Sequence, residues 1–376
     1  MLKSRLEARL AGGIFADMKD STIDLLQQLT EAQGIPAHEE EVREIFLREL
    51  EGKGTFSSDK LGSVFCEGSG EGPRVLVAGH MDEIGFLVQN ITAEGFLELV
   101  PVGGWWTHTL LSQRLQVKTR EGRKILGVVA SKPPHQLSEA QRQQVMAIEN
   151  LYLDVGVDHR AQITDELGIR IGDPVAPITE FTKMDIEGRF MAKAFDNRVG
   201  MAATIQAGQG LLGEKLPNRL IVGGTVQEEL GLRGAKTAAV HVKPDVAIVL
   251  EGPPADDTPG MPRSASQGRL GGGVQIRMFD PTHVTNPGLA RFSIEIAERE
   301  GIPHQVTVRR SGGTDAGSFH LANEGIASVV IGVPARYIHS HNAIIDIEDY
   351  MNAVRLVKAM VRALDADMVS SFIKYI

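Results

Sequence analysis

The sequence predicts an α/β fold, a mixed sheet layered between helices, interrupted by a small all-β module. Two observations carry the prediction. Short apolar runs that stop abruptly at His, Asp or Glu alternate with amphipathic helical stretches, and between residues 86 and 175 this pattern gives way to β-type pieces separated by Gly and Pro. The length of 376 residues adds that more than one core is expected.

Composition narrows the function. Hydrophobic residues at 42% and charged residues at 23% are those of an ordinary globular protein. The net charge of -9, without a basic stripe, excludes a phosphate-binding surface, so no nucleic-acid partner is expected. No apolar run is long enough to span a bilayer, so no membrane partner is expected either. Cys66 is the only cysteine. It cannot form an internal disulfide, which suits a reducing, cytoplasmic setting, and any metal must therefore be held by His and carboxylates. Residues 1–20 carry Lys3, Arg5 and Arg9 among interrupted apolar positions and read as a tail rather than a secretory signal.

Taken in order, Ser21 or Thr22 can cap a helix whose Ile23, Leu25, Leu26 and Leu29 form one face, ending at Gly34. A second amphipathic helix carries Val42, Ile45, Phe46 and Leu50. Strands follow at 61–66 and 75–78, the latter running into Gly79-His80-Met81-Asp82-Glu83. In open α/β sheets functional groups gather beyond the carboxyl ends of strands. His80 and Asp82 fall there, two apart on extended chain, so Asp82 can accept a hydrogen bond from a metal-bound His80.

Within the inserted module, β-type pieces are expected at 86–91, 96–100, 114–119 and 127–130. Gly103-Gly104-Trp105-Trp106 holds both tryptophans and is either an assembly surface or pocket wall, or packing for the small core. His108 and His135 lack carboxylates nearby in sequence and read as non-ligands.

The α/β pattern resumes with a strand at 190–195 leading to Asp196-Asn197-Arg198 and a buried helix. Asp196, between strand and helix, can bridge two cations or cap the helix. Leu220-Ile221-Val222 leads into Gly224-Thr225-Val226-Gln227-Glu228-Glu229. Two adjacent carboxylates at a strand end are either a solvated turn or the mouth of a cleft that calls for a cation, one as ligand and the other free to move protons. The strand at 245–250 ends at Glu251, and a Pro- and Gly-rich loop follows. Asn286-Pro287 opens a helix closing at Gly301, and Ser311-Gly312-Gly313-Thr314-Asp315 is a Gly-rich turn without the Lys of a nucleotide loop. A last strand at 327–333 leads to Arg336-Tyr337-Ile338-His339-Ser340-His341, and a C-terminal helix starts near Ile347.

His80, Asp196, Glu229, Glu251 and His339 thus stand as candidate ligands at the ends of separate strands. Two imidazoles with three carboxylates and no thiolate are the donor set of paired Zn, Co or Mn ions.

The runs Val77-Ala78-Gly79-His80-Met81-Asp82-Glu83, Lys193-Ala194-Phe195-Asp196-Asn197-Arg198, Thr225-Val226-Gln227-Glu228-Glu229-Leu230-Gly231 and Arg336-Tyr337-Ile338-His339-Ser340, standing in this order, resemble peptidase family M42. This family comprises glutamyl, leucyl and deblocking aminopeptidases that assemble as tetrahedral dodecamers and often carry endoglucanase names. The resemblance runs from about residue 21 to the C-terminus. It implies an α/β/α dinuclear aminopeptidase domain over residues 21–85 and 176–376, interrupted by a PDZ-like dimerisation domain over 86–175. By motif, His80 and Glu251 would hold one of two divalent ions and Glu229 and His339 the other. Asp196 would bridge them, Glu228 would be the general base for a metal-bridged hydroxide, and Asp82 would orient His80. The family often has Asp where this chain has Glu251, and His341 is a rival to His339. The implied partners are short peptides and further copies of the chain, from dimer to dodecamer. A related dinuclear amidohydrolase or deacylase, or an endoglucanase, are the alternative activities.

Overall fold

The computed structural model describes residues 20–262, 264–374 and 376. The tail expected over residues 1–20 lies, apart from Asp20, outside them. The first described helix spans residues 20–31. Ser21 and Thr22 therefore lie within it rather than capping it, and Thr22 Oγ1 accepts a hydrogen bond from Gln206 Nε2 at 2.7 Å. The second helix, Glu40–Glu49, buries Val42, Ile45 and Phe46 as its periodicity requires.

A hairpin of β1 (Thr55–Ser58) and β2 (Val64–Glu67) precedes the buried strand β3 (Arg74–His80). The chain then detours through β4 (Gly85–Ile91), β5 (Phe96–Val102), β6 (Arg114–Lys118), β7 (Lys124–Ser131), β8 (Leu151–Asp154) and β9 (Pro174–Pro177), which close into a barrel. Next come β10 (Thr182–Lys183), β11 (Arg189–Ala192), β12 (Arg219–Thr225), β13 (Val246–Glu251), β14 (Val274–Asp280), β15 (His283–Val284), β16 (His304–Val308) and β17 (Ala327–Gly332). The final strands are β18 (Ala335–Arg336) and β19 (Ala343–Asp346).

The large sheet has nine strands in the order β1-β2-β12-β3-β13-β17-β14-β15, with β16 paired to β14. Its centre, β12, β3, β13 and β17, is parallel. A parallel centre is covered on both faces, so its strands are apolar throughout. Val75 and Val77 point into the larger core with the helices Phe195–Leu211, Pro287–Arg299 and Ile347–Ala363. Leu76 and Ala78 point into the opposite core with Arg233–Val242 and Ala316–Phe319. The expected three layers follow from this alternation.

Local chemistry fixes the helix starts. Asn286 Oδ1 accepts from the Gly288 and Leu289 amides ahead of Pro287–Arg299, and Asp346 accepts from Glu348 N at the start of Ile347–Ala363. Tyr350, Val354, Val357 and Val361 form the buried face of the latter. Among the described residues no helix is long and apolar enough to cross a membrane.

The barrel is joined to the large sheet with almost no slack. Between the end of β3 and the start of β4 lie only Met81, Asp82, Glu83 and Ile84, all buried. A second, four-stranded sheet, β10-β11-β19-β18, lies apart from the first. The strand expected at 190–195 belongs to it and stops at Ala192, because Phe195 already opens the next helix.

A candidate dinuclear metal centre and its cleft

His80 closes β3 and sits level with Thr225, the last residue of β12. Beyond Thr225 the chain turns through Gln227, in a left-handed conformation, into a 3-10 turn at Glu228–Leu230. Glu251 closes β13. All three therefore emerge at the carboxyl edge of the parallel strands, where such sheets place ligands. Asp196 and His339 come instead from beyond strands of the second sheet, Asp196 in the non-helical first turn of Phe195–Leu211 after β11 and His339 after the two-residue β18.

These elements bring six side chains together. His80 Nε2 lies 3.2 Å from Asp196 Oδ1, 3.6 Å from Glu251 Oε2 and 3.9 Å from Glu228 Oε2. His339 Nε2 lies 3.5 Å from Asp196 Oδ2 and 3.3 Å from Glu229 Oε1. Asp196 thus turns one oxygen to each imidazole. Three groups are close enough to hold an ion: His80, Asp196 and Glu251; Asp196, Glu229 and His339; and His80, Glu228 and Glu229.

Electrostatics test whether cations belong here. Burial pushes Glu228 and Glu251 well above the usual carboxylate range; His80 opposes the shift, and neighbouring carboxylates add to it. Burial would lower both imidazoles, yet the surrounding carboxylates hold His80 well above its ordinary value and push His339 up to about 11. Four buried or half-buried acids crowd two imidazoles, an arrangement in which the acids repel one another, and among the described residues Glu251 Oε1 is buried without a hydrogen-bond partner. Divalent cations satisfy both the charge and the unfilled oxygen, and the donor set of imidazole and carboxylate fits Zn, Co or Mn. Glu251 reaches the cluster despite its extra methylene.

Both imidazoles direct Nδ1 away from the cluster to a backbone carbonyl, which leaves Nε2 as the free lone pair. For His80 the acceptor is Asp82 O at 3.1 Å, with the Asp82 carboxylate slightly farther, at 3.4 Å. The carboxylate is engaged elsewhere: it accepts the Glu228 amide at 2.9 Å and the Glu229 amide at 3.0 Å. Asp82 therefore grips the tandem-glutamate turn as well as facing His80. Below it, Glu83 takes Lys193 Nζ at 2.6 Å and Arg198 Nη2 at 3.2 Å, so the first two motifs are locked by a buried ion network. For His339 the acceptor is Gly104 O, 3.0 Å away in the barrel.

His341, the rival ligand, is brought elsewhere. It is buried with its ring 5.6 Å from that of Trp105, its ring nitrogens find no hydrogen-bond partner among the described residues, and burial pulls its pKa down to about 4. The two tryptophans divide the readings open to them. Trp105 packs against the barrel core, whereas Trp106 is 64% exposed.

The cluster floors a cleft of about 530 Å³ whose far wall includes Arg277, Thr282, Arg309 and Thr314. Arg277 pairs with Asp280 at 3.0 Å and Arg309 with Asp256 at 3.1 Å, while the Arg277 Nε and Thr314 Oγ1 atoms are buried without partners among the described residues. Behind this cluster, the Thr225 hydroxyl donates to Asp315, whose carboxyl is pushed by burial up to about 6. Neither Arg277 nor Arg309 carries a motif in the sequence, and the Gly103-Gly104-Trp105-Trp106 run gives no sign that Gly104 meets His339. The two arginines sit in or at the end of strands that the sequence pattern does not reveal, and Gly104 acts through its backbone, which no side-chain motif reveals.

The sequence matches the family described as M42 glutamyl aminopeptidase over residues 62–356, and a short match to the family described as AMPT covers 20–46. The Lactococcus lactis glutamyl aminopeptidase is 37% identical, the match covering 94% of this chain and 99% of that protein. The solved TET aminopeptidase from the marine sediment archaeon Thaumarchaeota archaeon SCGC AB-539-E09 is 38% identical with a TM-score of 0.89, covering 94% of this chain and 99% of that one. The Pyrococcus horikoshii TET1 peptidase, which can assemble into a tetrahedron or a large octahedral shell, is 30% identical with a TM-score of 0.80, covering 91% and 100%.

Proposed function

From the premise that this chain belongs to the M42 glutamyl aminopeptidase family and is an aminopeptidase, we propose that it releases N-terminal residues from short peptides using two divalent ions. The observation that carries the reading is the convergence of His80, Asp196, Glu228, Glu229, Glu251 and His339 on one cleft. His80 and Glu251 would hold one ion and Glu229 and His339 the other, with Asp196 between them. Bound there, Zn, Co or Mn would supply Lewis acidity to the scissile carbonyl and acidify water.

The protein's part is positioning and proton transfer. Asp82 holds the Glu228–Glu229 turn by two amide hydrogen bonds, so that the two neighbouring carboxylates take different duties. Glu228 takes the proton of the attacking water and delivers it to the amine leaving as the C–N bond breaks. Across the cleft Arg277 and Arg309 are each already paired with a carboxylate, Asp280 and Asp256, so a preference for an N-terminal Glu or Asp rests on the glutamyl aminopeptidase relative. Imidazoles among the carboxylates suit a cation better than the bare carboxylate pair an endoglucanase uses.

The barrel is read as the self-association module. Exposed Trp106, Leu126, Val128 and Ile171 give it an apolar outer surface, and the TET1 relative assembles into shells. A single, buried Cys66 fits a cytoplasmic setting.

The test is release of p-nitroaniline from glutamyl, aspartyl, leucyl and lysyl p-nitroanilides, before and after chelation and with Zn, Co or Mn restored. Metal-restored turnover, highest on the acidic substrates, is the expected result. Two bound metals with no turnover on any substrate would favour a deacylase acting on other amides, and chelator-insensitive hydrolysis of cellulose would overturn the peptidase reading.

A further inference from the structure

The inserted barrel reaches back into the metal centre at one point. His339 stands outside regular structure, at φ 56°, on a side chain 37% exposed. Among the described residues the only hydrogen bond of its imidazole outside the acidic cluster is the one to Gly104 O, at 3.0 Å. We propose that Gly104 is a positioning residue for His339, its carbonyl holding the Nδ1 proton and so presenting the Nε2 lone pair to the second ion. The inference rests on the two-ion reading above and gives the barrel a part in assembling the site, beyond self-association.

The segment that carries this carbonyl is fixed on several sides. Gly103 adopts φ 85°, and a Cβ there would lie 2.4 Å from Ile84 Cγ2, so the chain presses against the link between sheet and barrel. Trp105 donates Nε1–H to Gly85 O at 3.0 Å and stacks on Phe86 with ring centres 5.1 Å apart. Its other side meets His341, two residues beyond His339. Gly104 is tight against the imidazole: a Cβ would lie 3.2 Å from His339 Nδ1, so the ring would have to give by a few tenths of an ångström. A neutral imidazole has one N–H, and the acceptor that takes it decides which nitrogen remains a ligand; losing such a partner typically costs a site about 10–100-fold in metal affinity.

The test compares the full-length wild type with Gly104→Ala, which crowds the imidazole, and Trp105→Phe, which keeps the ring but drops the hydrogen bond to Gly85. Each is stripped of metal and titrated with Co(II), following visible absorption and bound metal per chain by mass spectrometry. The wild type is expected to bind two ions. Both variants should bind the first with unchanged affinity and the second about 10–100-fold more weakly. Two ions bound by Gly104→Ala at wild-type affinities would overturn the inference, and so would equal weakening of both ions. If Gly104→Ala does not fold, Trp105→Phe decides by the same criteria. A wild type that binds fewer than two ions would instead sink the two-ion reading itself.

Discussion

His80 and His339 offer the same atom to the same carboxylate, yet the protein holds them by different means. His80 ends a central parallel strand, its side chain 1% exposed, with Nδ1 answered by Asp82 two residues along. His339 follows a two-residue strand of the smaller sheet, its side chain 37% exposed, with Nδ1 answered from another module 235 residues away. A ligand fixed by its own sheet is assembled as that sheet folds. One fixed by a separate unit depends on docking, and the two ions should therefore be unequal.

The largest effect expected is one that ignores this difference. Glu228→Gln removes the proton carrier and should lower kcat by about 10²–10⁴-fold while two ions remain bound; steady-state kinetics with metal analysis checks it, and near-normal turnover would remove Glu228 from the mechanism. Asp82→Asn acts on the better-held half. Turning an acceptor into a donor opposite the Glu228 and Glu229 amides should cost about 3 kcal/mol of stability in denaturant unfolding and weaken the His80 ion in metal titration by about 10–100-fold. If the stability is unchanged, the grip on the turn is not what holds this half together. Timed chelation probes the inequality directly: the ion at exposed His339 should leave in a first phase, with the ion at buried His80 following, and a single phase of both ions would break the comparison. The smallest effect is expected at His341→Leu. It removes two unpartnered ring nitrogens from a buried site, so stability should shift by no more than about 1 kcal/mol and metal content should stay at the wild-type value; a lost ion would restore His341 as a ligand.

The same contrast explains what could be read from the sequence. His80 and Glu251 close unbroken apolar runs, with Glu228 and Glu229 a few residues beyond a third, and a buried parallel strand that stops at a polar or charged residue is a strong local signal. His339 has no such run before it, and only its resemblance to a family motif separated it from His341. The barrel was visible as a change of texture, but β8 is four residues long and β9 carries Pro174 and Pro177, so neither resembles a strand. The buried strand β14 escaped because Gln275 and Arg277 interrupt its apolar pattern: Gln275 is answered from far along the chain by Arg309, while Arg277 pairs with Asp280 three residues on and lines the cleft. Long-range pairs of this kind leave no local trace.

Met81 to Ile84, the four buried residues between sheet and barrel, also set a rule for how such an enzyme can diversify. The graft point of the module falls within the catalytic motif, so the insert cannot be lengthened, hinged or exchanged at its root without moving Asp82 and the turn it grips. Its far end is under no such constraint: residues 132–145 are almost entirely exposed. Novelty in size, charge or partner is therefore free to accumulate at the rim of the barrel, while the stem is inherited with the chemistry.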